Sequence, residues 1–181
     1  MTACPVLTTE RLVLRPFRDE DLGPFTEVLR AEPVRASLHL PDDVGPGRAF
    51  TEMAAWVGQW QLRGTGHWAL EERVTGALVG RAGLHRPGWE DWPGVEVGWT
   101  LHPRHWGKGY ATEAGARAVA WAFEHLGLSE VFSVILPTNR RSQAVARRLG
   151  FSLLEERTLS FFPTRPHGIW HLPATAWKAR A

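Results

Sequence analysis

The sequence predicts a mixed α+β protein, and three observations predict it. Short alternating or continuously apolar runs, bounded by turn residues, recur along the chain and have the character of strands. Longer stretches with apolar residues at helical spacing lie between them. In the middle, a strand, a glycine-rich turn, a helix and a second apolar strand follow one another, the order expected of a parallel, ligand-binding unit.

The elements follow in order. "TERLVLRPF" (Thr9–Phe17) sets Leu12 and Leu14 against Arg11, Val13 and Arg15, a half-buried strand. "DEDLGPFTEVLR" offers Asp19 as an N-cap and places Leu22, Phe25, Val28 and Leu29 on one helical face. Residues 31–47, rich in proline, glycine and aspartate, are expected to form a loop. A helix is expected over residues 48–62 through Phe50, Met53, Val57 and Trp60. "HWALEERV" and "ALVGRAGL" form a hairpin across "TG", and "VEVGWTLHP" is a third strand that Pro103 stops. In the helix beyond, Gly115, Val119, Ala122, Phe123 and Leu126 share a face, and Gly127 ends it. "EVFSVIL" is a strand buried within a sheet. "NRRSQAVARRLG" is a short helix closed by Gly150, "FSLLEERTLS" a strand, and "GIWHLPATAW" a last strand weakened by Pro173.

A length of 181 residues suits a single domain, 1–181, able to bury a proper core. Net charge is only +2, too little to argue for a nucleic-acid partner. The one cysteine, Cys4, excludes an internal disulfide and fits a reducing compartment. No apolar run reaches the ~18 residues of a membrane span, and the first residues lack the pattern of a signal peptide. Neither a membrane nor nucleic acid is expected as partner, and the cytoplasm is the expected location. The ten tryptophans are mostly core residues by expectation, with a minority near a site. If some are exposed, a homodimer is open.

The chemistry concentrates in "LHPRHWGKGYATEAGARAVAWAFEHLG". Glycine, lysine, glycine ahead of a helix presents backbone N–H groups to an anion, and phosphate is the usual one. A nucleotide P-loop requires a hydroxyl residue after the lysine, but Gly109 follows Lys108. A dinucleotide fingerprint requires a third glycine where Thr112 stands. What remains is R-H-W-G-K-G, Arg104 to Gly109.

This resembles the R/Q-x-x-G-x-G/A signature of the GCN5-related N-acetyltransferases, whose strand-to-helix turn holds the pyrophosphate of acetyl-CoA. "TERLVLRPF", "VEVGWTLHPRHWGKGYATEA" and "PTNRRSQAVARRLGF" are similar, in order and spacing, to the subgroup containing the ribosomal-protein N-terminal acetyltransferases. The resemblance implies a mostly antiparallel sheet of about seven strands with about four helices. The family's fourth and fifth strands, here "VEVGWTL" and "EVFSVIL", would run parallel and splay apart around pantetheine. It implies acetyl-CoA as co-substrate, with no metal, and an amine acceptor that is a peptide N-terminus or a small molecule. A non-catalytic acyl-CoA-binding domain is the alternative.

On that basis Trp106, Gly107, Lys108, Gly109, Tyr110, Ala111 and Thr112 would surround the pyrophosphate, with Arg104 and Lys108 adding charge. Backbone groups around Gly98, Trp99, Thr100 and Leu101 would pair with pantetheine, while the Trp99 ring packs in the core. Glu96 is either a base or orienting group for the amine, or a carboxylate paired with arginine or solvent. Ser142 either donates to the departing sulfur or caps a helix. Asn139 is expected to be an N-cap and a pantetheine contact together. Many relatives carry a tyrosine general acid at the position of Ala146, so that route is closed here. Trp89, Glu90, Asp91 and Trp92 form an acidic and aromatic loop suited to a protonated amine, or else a surface loop. The histidines suggest no metal site: His102 and His105 lack a third ligand.

Overall fold

The computed structural model describes residues 3–179. Its sheet is built from β1 (Leu7–Thr8), β2 (Leu12–Arg15), β3 (His67–Glu72), β4 (Leu78–His85), β5 (Glu96–Leu101), β6 (Glu130–Ile135), β7 (Ser152–Leu159) and β8 (Phe162–Pro173). Their spatial order is β1-β2-β3-β4-β5-β6-β8-β7. Every neighbouring pair is antiparallel except β5 and β6, which are parallel. The helices are α1 (Leu22–Arg30), α2 (Glu32–Leu38), α3 (Pro46–Arg63), α4 (Tyr110–Glu124), α5 (Arg140–Leu149) and α6 (Ala174–Lys178). Single 3-10 turns at Asp19–Asp21 and Pro103–His105 precede α1 and α4.

The architecture is the mixed α+β sheet with a parallel central pair; among the described residues it has eight strands where about seven were expected and six helices where about four were. Each difference has a local cause. The expected first strand breaks into β1 and β2 because Thr9 folds back, its amide donating to the Leu12 carbonyl at 2.9 Å. The expected loop over 31–47 contains α2: Pro33 falls in the first turn, where its missing N–H is no loss, and Val34 is buried beneath it. The expected last strand instead starts at Phe162 and ends at Pro173, and 174–178 turn helical. Pro163 and Pro166 are tolerated in β8 because only Gly168–Pro173 pairs with β6.

Two layers of side chains cover the sheet. On one face α4 packs its small residues Ala114, Ala118 and Ala122 with Leu70, Val97 and Val119. On the other, α1 and α3 bring Phe25, Val28 and Trp56 over Ala69 and Leu78. Asp21, not Asp19, stands at the entrance to α1. Its carboxylate accepts from the Arg18 amide at 2.8 Å and takes a two-pronged bond from Arg15 at 2.7 and 2.8 Å. Arg15 also reaches Glu71 at 2.6 Å, so this buried ion cluster ties β2, β3 and α1 together.

Candidate active site

The parallel pair is joined at a single register position, Glu96 opposite Phe132. There the Phe132 amide donates to the Val95 carbonyl at 2.9 Å, and beyond that point the strands part. The gap is held by a side chain. Glu96 accepts from the Val134 amide at 3.3 Å through one oxygen and lies 3.2 Å from His85 Nδ1 through the other. Glu96 thus satisfies the first β6 amide that β5 no longer reaches.

Which backbone groups of β5 face the gap follows from its ladder with β4. The His102 amide bonds to the Val79 carbonyl. Alternation along an antiparallel ladder then makes Thr100–Arg81, Gly98–Gly83 and Glu96–His85 the pairs that exchange hydrogen bonds. Val97, Trp99 and Leu101 therefore aim their polar groups at the gap. The Leu101 carbonyl is taken by Trp106 Nε1 at 2.8 Å, whereas the N–H and C=O of Trp99 both face the gap, away from β4. Gly98, expected to bond across the gap, bonds to β4; its role is space, because a Cβ there would lie 3.0 Å from the His67 ring.

At the mouth of the gap, Gly107 and Gly109 adopt φ of 75° and 85°, a left-handed conformation that side chains resist. Gly109 is the residue before α4, so the first amides of that helix are open to an anion. Arg11 fixes this turn: it donates to the Lys108 carbonyl at 2.8 Å, bonds Glu113 at 2.7 Å through Nε, and lies 4.9 Å over the Tyr110 ring. Tyr110 turns its hydroxyl to Glu72, and that hydrogen bond raises its pKa, so the sole tyrosine is not an available acid. Opposite, Asn139 caps α5 by accepting from the Ser142 amide at 3.1 Å, and Ser142 lines the cleft. Ala146 is fully buried.

The cleft so formed has a volume of about 2030 Å³, more than the ~300–1,000 Å³ of a site for one small molecule. Its half beside the glycine turn is walled by 98–101, 106–112, Asn139 and Ser142, and its opposite half by α2, α3, the β4–β5 loop and the β7–β8 turn. Three expected residues do not line it. Arg104 is turned to His105, donating from Nε to Nε2 at 3.0 Å. Asp91 is consumed by Ser160, accepting from its amide at 2.6 Å and its hydroxyl at 2.7 Å, and these bonds lower its pKa. Glu90 is exposed on the outside of the same loop. Trp89 and Trp92 of that loop do line the cleft, as do Glu96 and the 106–112 turn. Among the described residues no group of three His, Cys, Asp or Glu is placed to hold a metal.

Several lining residues escaped the sequence reading. His85, His67 and Arg81 line the half beside the β4–β5 loop together with Glu96. His67 is 2% exposed, stacks on Trp56 with centroids 4.1 Å apart, and accepts from Arg81 at 2.7 Å. Burial, then the charge of Arg81, pushes its pKa well below the usual histidine value. The signal was present: alternation along "GRAGLH" puts Arg81, Gly83 and His85 on one face. What it lacked was the register that sets His85 opposite Glu96.

A sheet prised open at its one parallel pair, with an anion-binding helix start at the opening, is the architecture of acetyltransferases. The chain belongs to the acetyltransferase (GNAT) domain family, whose match runs over residues 11–152; acetyl-CoA is the co-substrate of that family. An acetyltransferase of known structure from Agrobacterium tumefaciens is 32% identical, with a TM-score of 0.79 over 95% of this chain and 96% of that one. The FsC-acetyl coenzyme A-N(2)-transacetylase of Aspergillus fumigatus is 30% identical, aligned over 92% of this chain and 73% of its own. The ribosomal-protein-S5-alanine acetyltransferase of Vibrio fischeri shares the fold, with a TM-score of 0.75 over 96% of this chain and 99% of that one at 15% identity.

Proposed function

We propose that this protein transfers the acetyl group of acetyl-CoA to a primary amine by direct attack on the thioester. The observation that carries this is the split between β5 and β6. It turns the backbone N–H and C=O of Trp99 toward a donor half that opens onto the glycine turn and the first amides of α4, and leaves the half beside the β4–β5 loop as the acceptor half. Pantetheine amides would complete the β5 ladder at Trp99 as an added strand. The pyrophosphate would sit on the amides of 106–112, with Lys108 and Arg141 supplying charge. Arg141 is already positioned there, 4.7 Å over the Trp106 ring.

The acceptor amine attacks the thioester carbonyl as the free base, the C–S bond breaks, and one amine proton must leave. Both oxygens of Glu96 are engaged, one by Val134 and one by His85. Glu96 accordingly holds His85 in the tautomer protonated on Nδ1, and the Nε2 lone pair of His85 takes the amine proton. Glu96 is a positioning residue in this scheme and His85 the base. The thiolate leaves as CoA–SH with a proton delivered at the Ser142 hydroxyl, which stands at the α5 side of the cleft. The family relationship and the N-acetyltransferase activity of relatives support an amine acceptor.

Turnover tests this directly. Acetyl-CoA incubated with a panel of primary amines should yield free CoA thiol and the matching acetamide in equal amounts. CoA binding without turnover of any amine would favour a non-catalytic acyl-CoA-binding domain instead.

A further inference from the structure

The acceptor half of the cleft is walled by aromatic rings in an unbroken chain. From His85 beside Glu96, ring centroids run 5.6 Å to Trp92, 6.2 Å on to Trp89, and 4.3 Å from Trp89 to Phe161. Phe161 lies 4.6 Å from Phe162, which stacks on His167 at 4.1 Å. All six line the cleft. Burial holds His167 below the usual histidine pKa, so its ring is a neutral face near pH 7.

Core packing accounts for the inner rings, since Trp92 and Phe162 pack against the buried Phe132, Leu159 and Ile169, but not for the lip. Trp89 and Phe161 are 41% and 44% exposed although they belong to different loops and touch one another. The two loops are clamped together by polar bonds: the two from Ser160 to Asp91, and a third from Arg157 Nη2 to the Asp91 carbonyl at 2.9 Å. Three hydrogen bonds therefore fix two large apolar rings at the lip of the cleft, facing water, an arrangement suited to a ligand entering it. At the inner end of the wall stands the Glu96 carboxylate. A ligand complementary to both ends carries a flat apolar ring at one end and an amine at the other, the ring stacking on aromatic faces and the ammonium drawn to the carboxylate.

We propose that the acceptor is an arylalkylamine, a primary amine on a short chain from an aromatic ring, its ring held by Trp89, Phe161, Phe162 and Trp92 and its amine presented at Glu96 and His85. This rests on the acetyl-transfer function above and names its substrate class. The wall discriminates among amines by stacking, so an aliphatic amine of equal length, which reaches the same carboxylate, lacks the ring contacts.

The test is calorimetric titration of the protein–CoA complex with phenethylamine, with hexylamine and with a short alanine-initiated peptide, on wild type, Trp89→Ala and Phe161→Ala. Both substitutions fall at exposed lip positions, and a melting curve for each confirms folding. The expected result is that phenethylamine binds at least tenfold tighter than hexylamine, and that each substitution removes a threefold or larger part of that preference. Equal binding of the two amines, or a preference that survives both substitutions, overturns the inference. Tightest binding by the peptide overturns it in favour of a protein N-terminus as acceptor. Parallel turnover assays with acetyl-CoA separate the two claims. Ring-dependent binding with no acetylation of any amine would contradict acetyl transfer but leave the aromatic site standing. Acetylation without ring preference would contradict only the arylalkylamine assignment.

Discussion

The donor half and the acceptor half of the cleft are made of different material. The donor half is backbone: a strand edge at Trp99, two glycines in left-handed conformation, and the first amides of α4. The acceptor half is side chain: a carboxylate, histidines and aromatic rings delivered by segments from α2 to the β7–β8 turn. Backbone geometry of this kind is compatible with few residues at few positions, so it leaves a compact trace in the sequence. A wall of side chains assembled from distant segments leaves none until the segments are brought together.

Substitutions in the two halves should therefore fail in different ways, and the largest expected effect is on the chemical step. His85→Gln keeps a polar group beside Glu96 but removes the base, and should lower kcat by about 10²–10⁴-fold with the Kd for acetyl-CoA little changed. Glu96→Ala should weaken both halves at once, because it frees the Val134 amide as well as His85. Glu96→Gln, which can still accept from Val134, should preserve acetyl-CoA binding while kcat falls. Equal acetyl-CoA affinity in the two Glu96 variants would show that Glu96 does not hold the strands apart.

Removing Asp21 tests the framework of the acceptor half. Asp21→Ala takes the two-pronged partner from the Arg15 guanidinium, whose side chain is 6% exposed, and leaves it Glu71. With that carboxylate retained, the loss should stay below the about 3–5 kcal/mol of an unpaired buried charge, so melting should fall by several degrees for a chain of this size. On the donor side, Gly109→Val places a β-branched residue at φ 85°. Strain of about 2 kcal/mol should weaken acetyl-CoA by roughly 30-fold, while amine binding at the aromatic lip is retained. Loss of both together would mean that the halves are not separately built.

The smallest effect is a slope. His67 is neutral in the fold because its pKa is held well below 6.5. The stability it contributes is in place above its unfolded value and declines as pH falls from there toward the depressed folded value. One such group adds at most about 1.4 kcal/mol per pH unit. His39 and His167 are shifted in the same direction. Melting temperature should fall as pH drops from 7.5 to 5.5, and His67→Asn, which keeps an acceptor for Arg81, should flatten that fall. An unaltered slope would show that His67 does not titrate on unfolding.

Much of the fold was legible in the sequence, and the proposed donor half rests on the same local patterns. Leu12 and Leu14, "EVFSVIL" and the glycine turn each carry a periodicity or a conformational demand that short-range physics interprets. Asn139 and Ser142 were likewise visible as a helix start. Arg104 was misplaced because a sequence shows a charge but not its direction: a single residue on, His105 captures it. For Asp91 the sequence left an amine contact and a surface loop both open, because its partner Ser160 lies 69 positions away. Arg11 stood in plain view in "TERL", yet its grip on the Lys108 carbonyl spans 97 positions. His85 required the β4–β5 register. Each of these depends on a contact between segments that local pattern does not encode.

On the acetyl-transfer proposal, the split between β5 and β6 and the turn at its mouth hold CoA. Thermal unfolding with acetyl-CoA, with CoA and with ATP, each in large excess, tests it most directly. Ligand at about a hundred times its Kd adds ~2.7 kcal/mol of stability, or roughly 5–10 °C for a chain of this length. A shift of that size with both CoA species and none with ATP is the predicted result. An unchanged melting temperature with either CoA species would contradict the account, leaving "RHWGKG" as a tight turn and the cleft without its donor.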